Sequence, residues 1–72
     1  MEPEVRSILS KKDPQGYFVI VADAKAKELV KDIDDVFVEE IGDCVIIKTK
    51  SRRIAERLAR KLLRLGMLRF EL

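Results

Sequence analysis

Residues 35–49, DVFVEEIGDCVIIKT, decide the fold of this chain. Two runs of strand-like composition flank Gly42 and Asp43, so we expect an antiparallel hairpin of residues 35–41 and 44–49 with a tight turn between them. The first run is broken by acids, as an edge strand is, whereas the second contains the apolar triplet VII, which favours a central position. The hairpin therefore predicts a sheet in which the later of these two strands lies inside.

The hairpin is followed by SRRIAERLARKLLRL, residues 51–65, which has the pattern of an amphipathic helix. Ser51 suits the N-cap, and Gly66 suits the left-handed residue that follows the last turn. One side of this helix is apolar and the other side is basic. The apolar positions are Ile54, Ala55, Leu58, Ala59, Leu62 and Leu65. We expect them to pack on the sheet, which leaves the basic side in solvent.

A strand and a helix are predicted before the hairpin, and one more strand is predicted at the end of the sequence. Residues 17–22, YFVIVA, form an apolar run rich in β-branched and aromatic residues, which predicts a strand that is buried on both faces and therefore central. Asp23 suits the N-cap of a helix over residues 24–33. Residues 67–72 carry apolar side chains at every second position, and this alternation predicts a final strand with one buried face.

The resulting order β-α-β-β-α-β predicts an α+β fold of the ferredoxin-like kind. In this two-layer sandwich, right-handed crossovers build a four-stranded antiparallel sheet with both helices on one face, and the first and third strands are central. Residues 17–22 and 44–49, which are placed inside by their apolarity alone, are the first and third strands. The chain of residues 1–72 is short enough to be a single domain.

Residues 1–12 are compatible with two structures. Their apolar side chains have helical spacing at Val5, Ile8 and Leu9, but Val5 and Leu9 also fit the alternation of a strand. The segment is therefore either a short helix or an extra strand. The sequence DPQG at residues 13–16 fits a type I turn, with Asp first, Pro second and Gly fourth.

Charge is unevenly distributed along the chain. Residues 1–43 contain six basic and eleven acidic side chains, whereas residues 44–72 contain nine basic and two acidic ones. Asn is absent, Gln occurs once, and Lys, Arg and Glu are abundant, which is the pattern of heat-adapted proteins. Neither a signal-peptide pattern nor an apolar run of membrane-spanning length is present. We expect a soluble, cytoplasmic protein that does not associate with a membrane.

The sequence offers no catalytic or metal-binding motif. There is no histidine, the hydroxyl and thiol side chains have no motif around them, and the three glycines are isolated. The lone Cys44 cannot form an internal disulfide and is expected to be a small buried residue. The acids of residues 32–43 match no calcium loop, and we expect them to pair with Lys48 and Lys50 across the hairpin. These features predict a non-enzymatic protein without a cofactor or a metal.

The first candidate binding site is the basic side of the helix over residues 51–65. Its residues are Arg52, Arg53, Arg57, Arg60, Lys61 and Arg64. Guanidinium groups fit phosphate oxygens, and a row of them follows a nucleic-acid backbone without reading bases. This interpretation predicts a module that binds nucleic acid, with RNA or a ribonucleoprotein favoured over DNA. The same row is also typical of a solvated helix face, with Glu56 spaced to pair with Arg52 or Arg60, or of a surface that meets an acidic protein.

The second candidate site is the face of the sheet that has no helix over it. If alternate residues of the central strands face the helices, the residues between them form an apolar patch. These residues are Tyr17, Val19, Val21, Cys44 and Ile46. The patch is covered by residues 1–12, by a second copy in a homodimer, or by both. Stacking of bases on this face is not favoured, because Tyr17 is the only aromatic residue that the pattern places there.

The order of elements and the hairpin VFVEEIGDCVIIKT resemble the small ligand-sensing domains of this topology, such as the effector domain of the leucine-responsive regulators. That resemblance implies pairing through the sheets, with a small ligand between the subunits. Because many unrelated families share the topology, the resemblance assigns neither a family nor a function to this chain.

Overall fold

The computed structural model describes residues 1–69 of the chain. Its elements are, in order, α1 (Pro3–Leu9), β1 (Phe18–Asp23), a 3₁₀ turn (Ala24–Ala26), α2 (Lys27–Val30), β2 (Phe37–Ile41), β3 (Cys44–Thr49), α3 (Arg52–Arg64) and β4 (Leu68–Arg69). The final strand predicted over residues 67–72 begins close to its predicted start, and residues 70–72 lie outside the described part of the chain.

The four strands form one antiparallel sheet in the order β2-β3-β1-β4. β1 and β3 pair along their whole length, starting with Phe18 opposite Thr49. β2 pairs with the other side of β3, and β4 pairs with β1 through Val21 opposite Arg69. The prediction of an α+β fold whose four-stranded antiparallel sheet has the first and third strands in its centre is confirmed.

The core lies between the sheet and the helices on one of its faces. Every second residue of β1 is buried, at Phe18, Ile20 and Ala22, and Val45 and Ile47 of β3 extend the same surface. The helices and the 3₁₀ turn cover it with Val5, Leu9, Ala26, Val30, Ala55, Leu58, Ala59 and Leu62. Burial of a large aliphatic side chain contributes about 1.5–3 kcal/mol, so this layer is the main source of stability.

The N-terminal end of α3 is capped by Ser51 and its C-terminal end is followed by Gly66, the two residues that the sequence predicts. Ser51 Oγ accepts a hydrogen bond from the amide of Ile54 at 3.2 Å. Beyond the last turn Gly66 has φ +72°, and the amides of Gly66 and Met67 donate back to carbonyls of the last turn. These two bonds form a Schellman motif, which satisfies carbonyl groups at the end of the helix and places Met67 against the core.

Leu65 is the exception on the apolar side predicted for this helix. It is 50% exposed, because it is the C-cap residue and the chain leaves the helix there. Leu63, which the sequence pattern does not place on that side, is half-buried and packs against the core. The expectation that Leu65 packs on the sheet is therefore wrong, while the rest of the apolar side is confirmed.

The helix predicted over residues 24–33 is shorter than expected and irregular. Asp23 caps it by accepting a hydrogen bond from the amide of Lys25 at 2.9 Å, but the first turn is 3₁₀ and only the four residues of α2 are α-helical. After Val30 the sequence reads KDIDD. Aspartates are poor helix formers and are unfavourable near the negative end of the helix dipole, so the helix ends early.

Residues 1–12 contain a helix rather than a strand. Val5 and Leu9, four residues apart, are both buried because α1 packs against α3 and β1. The chain then makes the turn predicted from DPQG, in which the amide of Gly16 donates to the carbonyl of Asp13 at 2.9 Å. Within the described part of the chain there are three α-helices, the two of the predicted βαββαβ order and α1, which is the helical one of the two alternatives predicted for residues 1–12.

Candidate nucleic-acid interface

The outer side of α3, which we call the basic face, carries six basic side chains, and all six are exposed. Its residues are Arg52, Arg53, Arg57, Arg60, Lys61 and Arg64. The buried residues of α3 lie on one side of the helix, and the helical period places Arg53, Arg57, Arg60 and Arg64 on the opposite side, away from the sheet. Arg52 is the first residue of the helix and is exposed at that end. From Arg53 to Arg64 the row extends about 16 Å along the helix axis, at a rise of about 1.5 Å per residue.

Within residues 1–69, Arg60 is the basic-face residue that forms ion pairs with acidic side chains. Its guanidinium lies 3.1 Å from Glu56 Oε2 on the same helix and 3.8 Å from Glu2 Oε1 beside α1. Within residues 1–69, the other five basic-face residues have no carboxylate oxygen within 4.0 Å. The predicted pairing of Glu56 with Arg60 is confirmed, and most of the positive charge is left unpaired by carboxylates of this part of the chain.

The first turn of α3 has an unfavourable charge for a helix. Arg52 and Arg53 lie at this end and the turn contains no acid. The N-terminal end of a helix carries a partial positive charge, so a basic side chain there is unfavourable by about 0.3–1 kcal/mol. At the other end, Lys61 and Arg64 have the favourable sign. An anion bound at the first turn would remove the unfavourable interaction.

The residues between the core positions of β1 and β3 point to the opposite side of the sheet, which we call the open face. The strand register groups its central side chains in two rows, one of Phe37, Lys48 and Val19 and one of Glu39, Ile46, Val21 and Arg69. The apolar centre of this face is thus flanked by charges of both signs. Packing directs these residues away from the core but does not require them to be apolar.

The five residues predicted as an oligomer interface are Tyr17, Val19, Val21, Cys44 and Ile46. They share the open face and are half-buried, except for Cys44, which is only 5% exposed. Burial raises the pKa of the Cys44 thiol, with the hydrogen bond to Asp43 acting in the same direction, so the thiol is protonated at neutral pH. Side chains of α1 line a groove together with Val19 and Val21, so residues 1–12 reach the border of this face.

Phe37 is the residue that sequence reasoning does not find. It is 60% exposed, and its ring meets that of Tyr17 edge to face, with ring centroids 5.7 Å apart and planes at 86°. Lys50 Nζ lies 5.0 Å from the Tyr17 ring centroid. The expectation that Tyr17 is the only aromatic residue on this face is therefore wrong. Strand alternation offered a signal, because Val38 packs against the core and its neighbour must point the other way.

Asp13 ties the turn after α1 to the open face. Its Oδ1 accepts hydrogen bonds from the amides of Gln15 and Tyr17 at 2.9 and 2.8 Å, and its Oδ2 lies 3.7 Å from Lys48 Nζ. The bond from the Tyr17 amide is the main cause that lowers the pKa of Asp13, and Gln15 and Lys48 act in the same direction. Lys48 thus pairs with the turn, which corrects the predicted pairing with acids of the hairpin.

Three hydroxyl groups near the basic face and α1 form local hydrogen bonds. Ser51 Oγ caps α3, Thr49 Oγ1 accepts from the Ser51 amide at 3.1 Å, and Ser10 Oγ donates to the carbonyl of Ser7 at 3.0 Å. Among residues 1–69, no group of three His, Cys, Asp or Glu side chains is arranged to hold a metal ion. In that same part of the chain, no helix has the length and apolarity needed to cross a membrane.

No protein-family model, curated protein or solved structure matches this chain. Its function is therefore argued from its two exposed surfaces. They differ in chemistry, since the basic face presents arginines and the open face presents aliphatic and aromatic side chains bordered by charge.

Proposed function

We propose that this protein is a non-enzymatic module that binds nucleic acid, with RNA preferred over DNA, and that the basic face contacts the phosphate backbone. The observation that carries the proposal is the exposed row of Arg53, Arg57 and Arg64, none of which has a carboxylate partner within residues 1–69. Guanidinium groups match phosphate oxygens in geometry as well as in charge. Such a row follows a backbone whose charges repeat and needs no contact with a base.

The charge at the first turn of α3 also supports a ligand rather than a role in folding. Arg52 and Arg53 oppose the helix dipole, and neither forms an ion pair with residues 1–69. A helix selected for stability alone favours acids at this end, whereas a phosphate bound there interacts well with both arginines and with the dipole. The hydroxyls engaged at Ser51, Thr49 and Ser10 support the non-enzymatic part of the proposal.

The test compares two double variants that remove the same charge. Arg57→Ala/Arg64→Ala removes two exposed arginines, from the middle and the C-terminal end of the basic face. Lys25→Ala/Lys31→Ala removes two exposed cations near α2. In fluorescence anisotropy with a labelled single-stranded RNA, the arginine variant is expected to bind about a hundredfold more weakly, since two charge-assisted hydrogen bonds are lost. The lysine variant is expected to change affinity by less than about threefold.

Equal weakening in the two variants would attribute binding to net charge and would remove the basic face as its site. If the unaltered protein binds neither RNA nor DNA at low salt, the proposal as a whole is wrong. Circular dichroism of each variant checks that the fold is retained, which we expect because all four substituted side chains are exposed.

A second candidate function, assembly of copies into a homodimer through the open face, is favoured by its exposed apolar side chains. Phe37 and Ile41 are 60% and 40% exposed on β2, and half-buried Val21 and Ile46 complete the patch. Assembly predicts a mass in light scattering of twice the chain's 8.3 kDa, reduced to that of one chain by Ile46→Glu. A monomer mass for the unaltered protein would remove this candidate.

For the fold we propose the ferredoxin-like arrangement, extended by α1. The central positions of β1 and β3, together with the helices packed against one face of the sheet, support it. The cytoplasmic location and the heat-adapted source indicated by the sequence stay predictions.

A further inference from the structure

An open recess of about 370 Å³ lies where the open face meets the start of α3. We call it the aromatic recess, and its walls are Tyr17, Asp35, Phe37, Lys50 and Ser51. Sites for small molecules have volumes of about 300–1,000 Å³. The aromatic recess is at the lower end of that range, which suits a single nucleobase with its sugar.

The exposure of Phe37 is the feature of the recess that packing does not explain. Val36 and Val38, its neighbours on either side, pack against the core, so the alternation of the strand holds Phe37 on the open face. A polar side chain at this position would leave the core unchanged. Large aromatic side chains are normally buried for much of their area, and an exposed ring is a surface on which another flat group can stack.

We propose that the aromatic recess binds one unpaired base of a single-stranded nucleic acid, and this inference rests on the proposed function of the basic face. The Phe37 ring supplies the stacking surface, because the face of every base stacks on an aromatic side chain. The Asp35 carboxylate supplies an acceptor for an amino or imino group of the base. Its negative charge also keeps phosphate groups out of the recess, while Lys50 places a cation at its margin.

The aromatic recess and the basic face meet at one residue. Ser51 lines the recess and caps α3, and Arg52 and Arg53 follow immediately. A strand with one base in the recess therefore passes its adjacent phosphates over the first turn of α3, where the arginines and the positive end of the helix dipole favour anions. A duplex cannot make the same contact, because its bases are paired and stacked inside the double helix.

The test measures binding of one labelled sequence as a single strand and as a duplex. Phe37→Ala is expected to weaken single-strand binding about tenfold, since the stacking of one base is lost, and to leave duplex binding unchanged. Phe37→Trp, which keeps a flat ring, is expected to preserve single-strand binding. The matched control is Ile41→Ala, an exposed apolar residue on the same strand and the same face outside the recess, which is expected to change neither affinity.

The emission of Tyr17 gives a second readout, because Tyr17 is the only tyrosine and the chain has no tryptophan. The single strand is expected to quench this emission in the unaltered protein and not in Phe37→Ala. Unchanged single-strand affinity in Phe37→Ala, or a preference of the unaltered protein for the duplex, would contradict base binding in the aromatic recess. Neither result would contradict phosphate binding by the basic face. Absence of binding to either form would overturn both.

Discussion

The basic face of α3 and the open face of the sheet are both exposed, but different periodicities place their side chains there. On α3 the apolar side must meet the sheet, so residues such as Arg57 point outward. In β1 and β3 every second residue faces the core, so Val21 and Ile46 point away from Ile20 and Ile47. Packing thus dictates the direction of these side chains and not their chemistry. The proposed functions therefore rest on the chemistry of these exposed arginines and apolar groups.

The largest expected effect tests the orientation of α3 on which the basic face depends. Leu62 is fully buried and Leu65 is 50% exposed on the same helix. Leu62→Ala is expected to lower the free energy of unfolding by about 2–5 kcal/mol. Leu65→Ala is expected to lower it by less than about 1 kcal/mol. Urea unfolding followed by circular dichroism measures both changes. Equal losses would mean that α3 is not rotated as described and that the arginines are not its outer side.

A smaller effect tests whether the open face is in contact with solvent. Val45 on the core face is fully buried, and Val21 on the open face is half-buried in the adjacent strand. Val45→Thr is expected to cost about 1–3 kcal/mol in the free energy of unfolding, because it buries a hydroxyl. Val21→Thr is expected to cost less than about 0.5 kcal/mol. A similar cost for both would show that the open face is covered in solution, as in a homodimer.

The smallest expected effect is a pH dependence at the turn beside the open face. Because hydrogen bonding lowers the pKa of Asp13 in the folded chain, this carboxylate stabilises the fold above its unfolded pKa, near 3.8. That stabilisation is lost as the pH falls through the lower, folded value. We expect the free energy of unfolding to decrease in this range and Asp13→Asn to reduce the decrease. Part of it will persist, since the Lys25 amide and Arg69 lower the pKa of Asp23 as well.

An unchanged pH profile in Asp13→Asn would contradict the role given to this carboxylate. Asp23→Asn is the matched comparison, because it removes the other aspartate that is held by a backbone amide and a basic side chain. If only Asp23→Asn alters the profile, the turn at Asp13 does not depend on the charge of that residue.

The fold is predictable from the sequence where its signals are local. The cap at Ser51, the stop at Gly66 and the apolar period between them define α3 without knowledge of the rest of the chain. Residues 1–12 carry two periodicities, and the choice between them depends on the contact of α1 with α3, which is remote in sequence. The helix predicted over residues 24–33 ends too late, because the apolar period continues to Ile33 although the aspartates around it do not favour a helix.

The candidate site also has one part that local signals predict and one part that depends on contacts between distant segments. The row of Arg53, Arg57, Arg60 and Arg64 follows from the period of a single helix, so these residues of the basic face are predicted from the sequence. The aromatic recess requires the register that places Phe37 opposite Lys48 and the turn that brings Tyr17 against Phe37. The tight turn at Gly42 and Asp43 already fixes the register of the hairpin. The contact of Tyr17 with Phe37 joins segments that are remote in the chain, and a local pattern does not predict it.

The salt dependence of RNA binding tests the central claim most directly. If four arginines of the basic face contact phosphates, the logarithm of the affinity is expected to fall with the logarithm of salt concentration with a slope of about −2.8 for a single strand, at about −0.7 per contact. Arg57→Ala/Arg64→Ala is expected to halve that slope to about −1.4. A slope near zero, or a slope that these two substitutions leave unchanged, would contradict the claim that the basic face binds the phosphate backbone.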